Sequence, residues 1–273
     1  MPTAGVVHVS DASPVMSSKN EQPANASPCV LDLHVKGRRF QLGNGELLHA
    51  VGELQFALDA RSFTCIVGPS GCGKTTTLRM ILGLDTGFEG TIKHPGGERV
   101  ATVFQEPRLL PWRTVEQNIR LVLPDTRRDR SLNELFDVLE LHEVRHFYPN
   151  QLSLGLARRA SLARAFVLEP QLLILDEPFV SLDDKTAKRL RELLLKLWQQ
   201  HQTTALMVTH NIREAALLAD RILVFSKRPT RVLGEVLLET DRGERDEGFV
   251  DRVVAEVSAY DVVLDDVKLK SAH

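Results

Sequence analysis

An α/β fold with a mainly parallel sheet is predicted by three observations. Leu172-Leu173-Ile174-Leu175 is apolar without alternation, as suits a strand buried on both faces of a parallel sheet. Ile66 and Val67 end a strand-like run that passes through a Gly-rich turn into a helical segment at Thr75–Leu82. Ala205–Thr209 repeats the pattern of a short apolar strand, after a helix with Ala187, Leu190, Leu194 and Leu197 on one face.

The 273 residues allow one large domain or two small ones, and 43% hydrophobic with 26% charged residues suits a soluble globular chain. A formal net charge of -2 supplies no general electrostatic case for nucleic-acid binding. No apolar run approaches the ~20 residues that span a bilayer, and the first residues lack the basic-then-apolar order of a signal peptide. Any membrane role is therefore expected to act through a partner or a surface contact. Three cysteines, Cys29, Cys65 and Cys72, are an odd count without zinc-type spacing, which points to a reducing cytosol.

The stretch Gly68-Pro69-Ser70-Gly71-Cys72-Gly73-Lys74-Thr75-Thr76 has the spacing of a phosphate-binding loop. Phosphate oxygens need several donors at close range. Backbone N–H groups supply them only where side chains do not block the approach, hence the glycines. The following helix favours anionic charge at its N-terminus. Lys74 can reach the terminal phosphates, and the Thr75 hydroxyl can bind Mg²⁺.

The remaining elements follow in order. Residues 1–28 are rich in Ser, Ala, Pro and Asn and are expected to be a disordered tail. Cys29–Val35 and Val51–Leu58 alternate and are expected to form an antiparallel patch. Phe40, between them, has two readings: core of that patch, or a ring that stacks on adenine. Gly83 is placed to stop the loop helix. Val100–Phe104 reads as a strand and Gln105 follows it. Pro107 and Pro111 exclude regular structure from the next run. Leu109, Leu110 and Trp112 there either pack on their own core or form an apolar docking surface.

Ser131–Glu134 reads as a capping box ahead of a helix with Leu132, Leu135, Phe136 and Leu139 on one face. Ser153 is placed as the N-cap of the next helix, on which Arg158, Arg159 and Arg164 have two readings, contact with nucleotide or, the one expected, a solvated face. Asp176 and Glu177 end the 172–175 strand, where open α/β sheets place ligands. Asp183 reads as a helix cap, and His210 ends the 205–209 strand. Ile222–Phe225 and Val232–Leu238 read as closing strands. Phe249, Val253 and Val257 predict a C-terminal helix.

The ordered set Gly68–Thr75, Gln105, Leu152-Ser153-Leu154-Gly155, Leu172–Glu177, Ser181-Leu182-Asp183 and His210 resembles the nucleotide-binding subunit of an ATP-binding cassette transporter. The resemblance runs from about Val30 to Phe225. Within that family, Phe104-Gln105-Glu106-Pro107-Arg108-Leu109-Leu110-Pro111-Trp112-Arg113-Thr114-Val115 is similar to the importer group for nitrate, sulfonates and taurine.

The resemblance implies a P-loop NTPase core with a mainly parallel sheet, an N-terminal antiparallel β subdomain and a helical signature subdomain. It implies a cassette domain over 29–240, its helical part at about 106–168, and an extension over 241–273. Residues 68–76 would bind ATP, with Phe40 on the adenine. Thr75, Asp176 and Gln105 would serve Mg²⁺, Glu177 would polarise the attacking water, Gln105 would couple the site to the membrane subunit, and His210 would contact the γ-phosphate. Ser153, Gly155 and Asp183 would complete the site of a second copy in a head-to-tail dimer. The implied partners are that copy, two integral membrane permease subunits and, indirectly, an extracytoplasmic substrate-binding protein, with no nucleic acid. The implied location is the cytoplasmic face of the membrane.

Three positions depart from the family pattern. Leu154 replaces a usual Gly, which is unfavourable for the ATP-bound dimer if that backbone must approach phosphate closely or takes positive φ. Asn211 replaces Asp, and Val180 replaces Gly or Ala. A non-transport cytosolic ATPase scaffold is the competing reading. A small-molecule kinase with this loop would not need Ser153 or His210.

Overall fold

The computed structural model describes residues 28–94 and 99–270, with side chains described to residue 260. The tail expected over residues 1–28 lies outside the described residues except for Pro28.

Two sheets stack on one another. The first is antiparallel: β1 (Cys29–Gln41) pairs with β2 (Leu47–Val51), β3 (Leu54–Asp59) and β5 (Glu89–Lys93). The run read as one strand over Val51–Leu58 is broken at Gly52-Glu53, so it supplies the end of β2 and most of β3.

The second sheet has six strands, made of β4 (Phe63–Val67), β6 (Val100–Val103), β7 (Leu172–Asp176), β8 (Thr204–Thr209), β9 (Arg221–Phe225) and β10 (Val232–Leu237). Their order is β10-β9-β4-β8-β7-β6, parallel except for the edge strand β10.

The unbroken apolar runs now have their reason. Successive side chains of a strand point to opposite faces. Phe63, Cys65, Val67, Leu173, Leu175, Ala205 and Met207 face a core shared with helices. Ile66, Leu172, Ile174, Leu206 and Val208 face a second core shared with the antiparallel sheet and α1 (Lys74–Ile81). Every residue of β4, β7 and β8 is buried.

The helical layer contains α2 (Val115–Arg120), α3 (Asn133–Leu139), α4 (Leu154–Phe166), α5 (Asp184–His201), α6 (Ile212–Leu218) and α7 (Glu247–Lys270). Gly83 does stop α1, at φ 67, with the Leu84 N–H donating back to the Arg79 carbonyl. The capping box at Ser131–Glu134 does not form. Leu132 is buried and itself occupies the position before α3, and the Ser131 hydroxyl meets only the Asn133 N–H at 3.4 Å. A capping box forms instead at Thr114 and Gln117, which starts α2.

The C-terminal helix is integral to the fold. Phe249, Val253 and Val257 enter the helix-side core. Arg245 donates to the Ala216, Ala219, Leu238 and Thr240 carbonyls, which ties the α7 approach to the end of α6.

Candidate functional site

Register brings the polar residues together. Val67 of β4 pairs with Thr209 of β8, Asp176 of β7 with Val208, and Val103 of β6 with Leu175. The loop at Gly68, His210, Asp176-Glu177 and Gln105 therefore all leave the same carboxyl edge of neighbouring parallel strands, where such sheets place ligands.

The Gly68–Thr76 loop turns from β4 into α1. Gly71 and Gly73 have φ of 74 and 121, conformations that L side chains rarely adopt. Gly73 carries a second constraint, because a Cβ there would collide with the Thr230 hydroxyl. The Lys74 ammonium, 5% exposed as a residue, donates to the Gly68 carbonyl at 2.7 Å and the Pro69 carbonyl at 3.1 Å, so its charge sits inside the loop. Cys72 is buried, and that burial pushes its thiol pKa up.

Thr75 Oγ1 lies 3.4 Å from Asp176 Oδ1. Asp176 is 7% exposed, and burial first, then the adjacent Glu177 charge, raises its carboxyl pKa. An exposed hydroxyl beside a buried carboxylate, both hard oxygens, fits a Mg²⁺ ion that would take its other ligands from phosphate and water. Among the described residues no cluster of three or more His, Cys, Asp or Glu side chains could hold a metal alone.

Glu177 has φ 44, uncommon for a non-glycine residue, and its N–H donates to the Val208 carbonyl at 3.0 Å. His210 Nδ1 lies 2.9 Å from Glu177 Oε2. With the carboxylate ionised, Nδ1 carries the proton and Nε2 is the remaining ring nitrogen. Both neighbours of His210 are anchored. Thr209 donates to Glu214 at 3.1 Å, and Asn211 caps α6 by accepting the Arg213 and Glu214 N–H groups. Asn here does the capping work that Asp would do. Gln105 is exposed at the adjacent strand end.

Ser153 caps α4, accepting the Leu156 N–H at 3.3 Å, and remains exposed. Leu154 opens the helix without positive φ, so the backbone conformation itself does not call for Gly there. Gly155 is buried against α5, where an added Cβ would stand 2.6 Å from Thr186 Cγ2. Asp183 caps α5 by accepting the Thr186 N–H at 3.0 Å, which places it beside Gly155. Ser181, with φ 63, turns the chain between Glu177 and that cap.

The expected solvated face of α4 is a correction. Arg158 is buried and donates to the Val180 carbonyl at 3.2 Å. Arg164 donates to the Pro107 and Arg108 carbonyls and so grips the loop after Gln105. Arg159 pairs with Glu140, which also binds Arg189. These partners are distant in sequence, which is why periodicity alone missed them.

Phe40 is partly buried against the inter-sheet core, and the Arg38 guanidinium stacks on its ring at 4.0 Å. The loop after Gln105 divides its apolar residues: Leu109 packs on the core, while Trp112 is 69% exposed. Near Gln105, Leu82, Leu84, Phe104, Val122 and Leu168 line an apolar groove.

A phosphate loop with a buried lysine, a Thr–Asp pair beside it and a glutamate–histidine pair on the next strands define a nucleotide triphosphatase of the P-loop class. A family model described as ABC transporter matches residues 51–180. The chain is 39% identical to the aliphatic sulfonates import ATP-binding protein SsuB 2 of Burkholderia lata, covering 82% of this chain and 83% of that protein. It is 40% identical to SsuB 2 of Pseudomonas syringae pv. tomato, covering 79% and 91%, and 41% identical to SsuB of Bacillus cereus, covering 66% and 74%. The dimeric structure of a bacterial ABC transporter cassette superposes with a TM-score of 0.67 at 27% identity, covering 77% of this chain and all of that one. A post-hydrolysis dimer of that cassette, bound to ADP and Pi, gives 0.66 at 27% identity over the same shares. The chain belongs to the ABC transporter family, as an ATPase. Among the described residues no helix is long and apolar enough to cross a membrane.

Proposed function

We propose that this chain is the ATP-hydrolysing subunit of an importer for sulfonate-type small anions, working as a homodimer beneath two permease subunits at the cytoplasmic face of a membrane. The observation that carries the substrate class is that relatives from three genera, each 39–41% identical, bear names for aliphatic sulfonate import. An extracytoplasmic binding protein would deliver the anion. The Leu82–Leu168 groove and Trp112 are the surfaces we assign to the permease.

In this reading Lys74 and the loop amides bind the phosphates, and Phe40 flanks the adenine. Glu177 orients the attacking water and accepts its proton, while His210 holds Glu177 and meets the γ-phosphate. Thr75 and Asp176, with Gln105 beside them, would hold Mg²⁺, which supplies charge neutralisation for the transferred phosphoryl group. Ser153, Gly155 and Asp183 face the nucleotide of the second copy. The cassette then spans 29–240, with the helical part at about 106–168 and α7 in the extension.

The experiment is uptake in host cells carrying Glu177→Gln, over alkanesulfonates, taurine and nitrate. Selective loss of alkanesulfonate use is expected. Normal use of every compound, with the variant expressed, would overturn the importer reading.

A further inference from the structure

The turn between β9 and β10 was not singled out by any sequence motif, yet it is built onto the phosphate loop. Thr230 is fully buried. Its hydroxyl bonds to the Cys72 carbonyl and lies 2.9 Å from the Ala50 carbonyl of β2. Its N–H donates to the same Ala50 carbonyl at 3.2 Å, and its own carbonyl accepts the Gly52 N–H at 2.9 Å. One threonine thus joins the loop to the sheet that carries Phe40.

The turn is also internally fixed. Ser226 Oγ donates toward the Lys227 and Pro229 carbonyls and accepts the Arg231 N–H at 2.9 Å. This geometry holds Lys227 and Arg228 against Pro69, Ser70, Gly71 and Cys72, with which they line one pocket. Arg228 Nη2 is 3.8 Å from the point where a Gly71 Cβ would stand. Neither cation has an ion-pair partner among the described residues, and both are exposed. An unpaired guanidinium beside a row of loop amides is complementary to an anion, and its planar fork suits phosphate oxygens.

We propose that the 226–231 turn is a working wall of the nucleotide site: Arg228 binds the phosphate tail together with Lys74, and Thr230 is a positioning residue that fixes the loop. The inference rests on the phosphate-loop reading given above. Its ligand class is a nucleoside di- or triphosphate.

The test is titration of ATP and ADP, each with Mg²⁺, into the full chain and its Arg228→Ala, Arg228→Lys, Thr230→Val and Thr230→Ser variants. Arg228→Ala is expected to weaken both nucleotides about tenfold, with partial recovery in Arg228→Lys and an unchanged melting temperature without nucleotide. Thr230→Val is expected to weaken ATP similarly and Thr230→Ser to restore it. Should Thr230→Val fail to fold, Arg228→Ala still decides the matter, because its side chain is exposed. Wild-type affinity in Arg228→Ala, alongside lost binding in Lys74→Ala, would overturn this proposal and leave the loop reading intact. Retained binding in Lys74→Ala would instead overturn the loop reading itself.

Discussion

The carboxyl edge of the parallel sheet and the N-terminus of α4 carry the two groups of candidate site residues, and they are held by different forces. At the sheet edge Asp176 ends a strand and Gly68, Gln105, Glu177 and His210 lie one or two positions beyond one, so the ladder places them. The polar contacts there are few, as with His210 on Glu177. The α4 region is held by arginines. Arg145 and Arg120 both bind Glu116, Arg159 and Arg189 both bind Glu140, and Arg158 and Arg164 donate to loop carbonyls. The first arrangement converges on one point within a chain. The second leaves Ser153 facing outward with only its capping bond. In the proposed function the first region is one half of a nucleotide site, and the second is the surface offered to the nucleotide of the second copy.

The largest expected effect breaks the first region. Glu177→Gln should lower ATP turnover by about 10²- to 10⁴-fold with ATP affinity retained, as measured by phosphate release and equilibrium binding. Unchanged turnover would remove Glu177 from the chemistry. In the second region, Gly155→Val must displace Thr186, and overpacking of this kind costs about 1–3 kcal/mol. Calorimetry should show a melting temperature lower by several degrees, and an unshifted value would mean that α4 and α5 are not in close contact.

Glu116 sharpens the contrast through pH. Hydrogen bonds and charge from Arg145, then Arg120, hold its carboxyl pKa at about 2 against the usual 4.5. A pKa lowered by folding stabilises the native state above the unfolded value and ceases to do so as pH falls through the folded one. Glu116→Gln should therefore cost about 1–2 kcal/mol at neutral pH, with the gap to the parent closing from pH 4.5 toward about 2. Parallel stability curves would refute this. The smallest effect on the isolated protein belongs to Trp112→Ala, which should change neither nucleotide affinity nor melting temperature but should reduce recovery with membranes from permease-expressing cells. Normal recovery would take Trp112 out of the docking surface.

The same contrast explains what the sequence could tell. The phosphate loop, Asp176-Glu177 and the strand before them are local patterns, and short apolar runs fix the parallel sheet almost unaided. Arg158 and Arg164 were misread as solvated because their acceptors, the Val180 and Pro107 carbonyls, are 22 and 57 residues away. Ser131 failed as a cap because burying Leu132 took precedence over a local hydroxyl contact. Thr230 carries no periodic or motif signal at all. Its role exists only once β9 has returned to the side of β4.

In the proposed dimer, hydrolysis needs the edge of one chain and the α4 terminus of another. Chains carrying Lys74→Ala should be mixed with chains carrying Ser153→Arg, and ATP turnover measured for each alone and for the mixture. Each variant alone should be inactive, because both of its composite sites are damaged. The mixture should regain activity, since one site in the mixed dimer pairs an intact Lys74 with an intact Ser153. Formation of the mixed dimer with no recovery of turnover would mean that the sheet edge and the α4 terminus of the partner copy do not share a site.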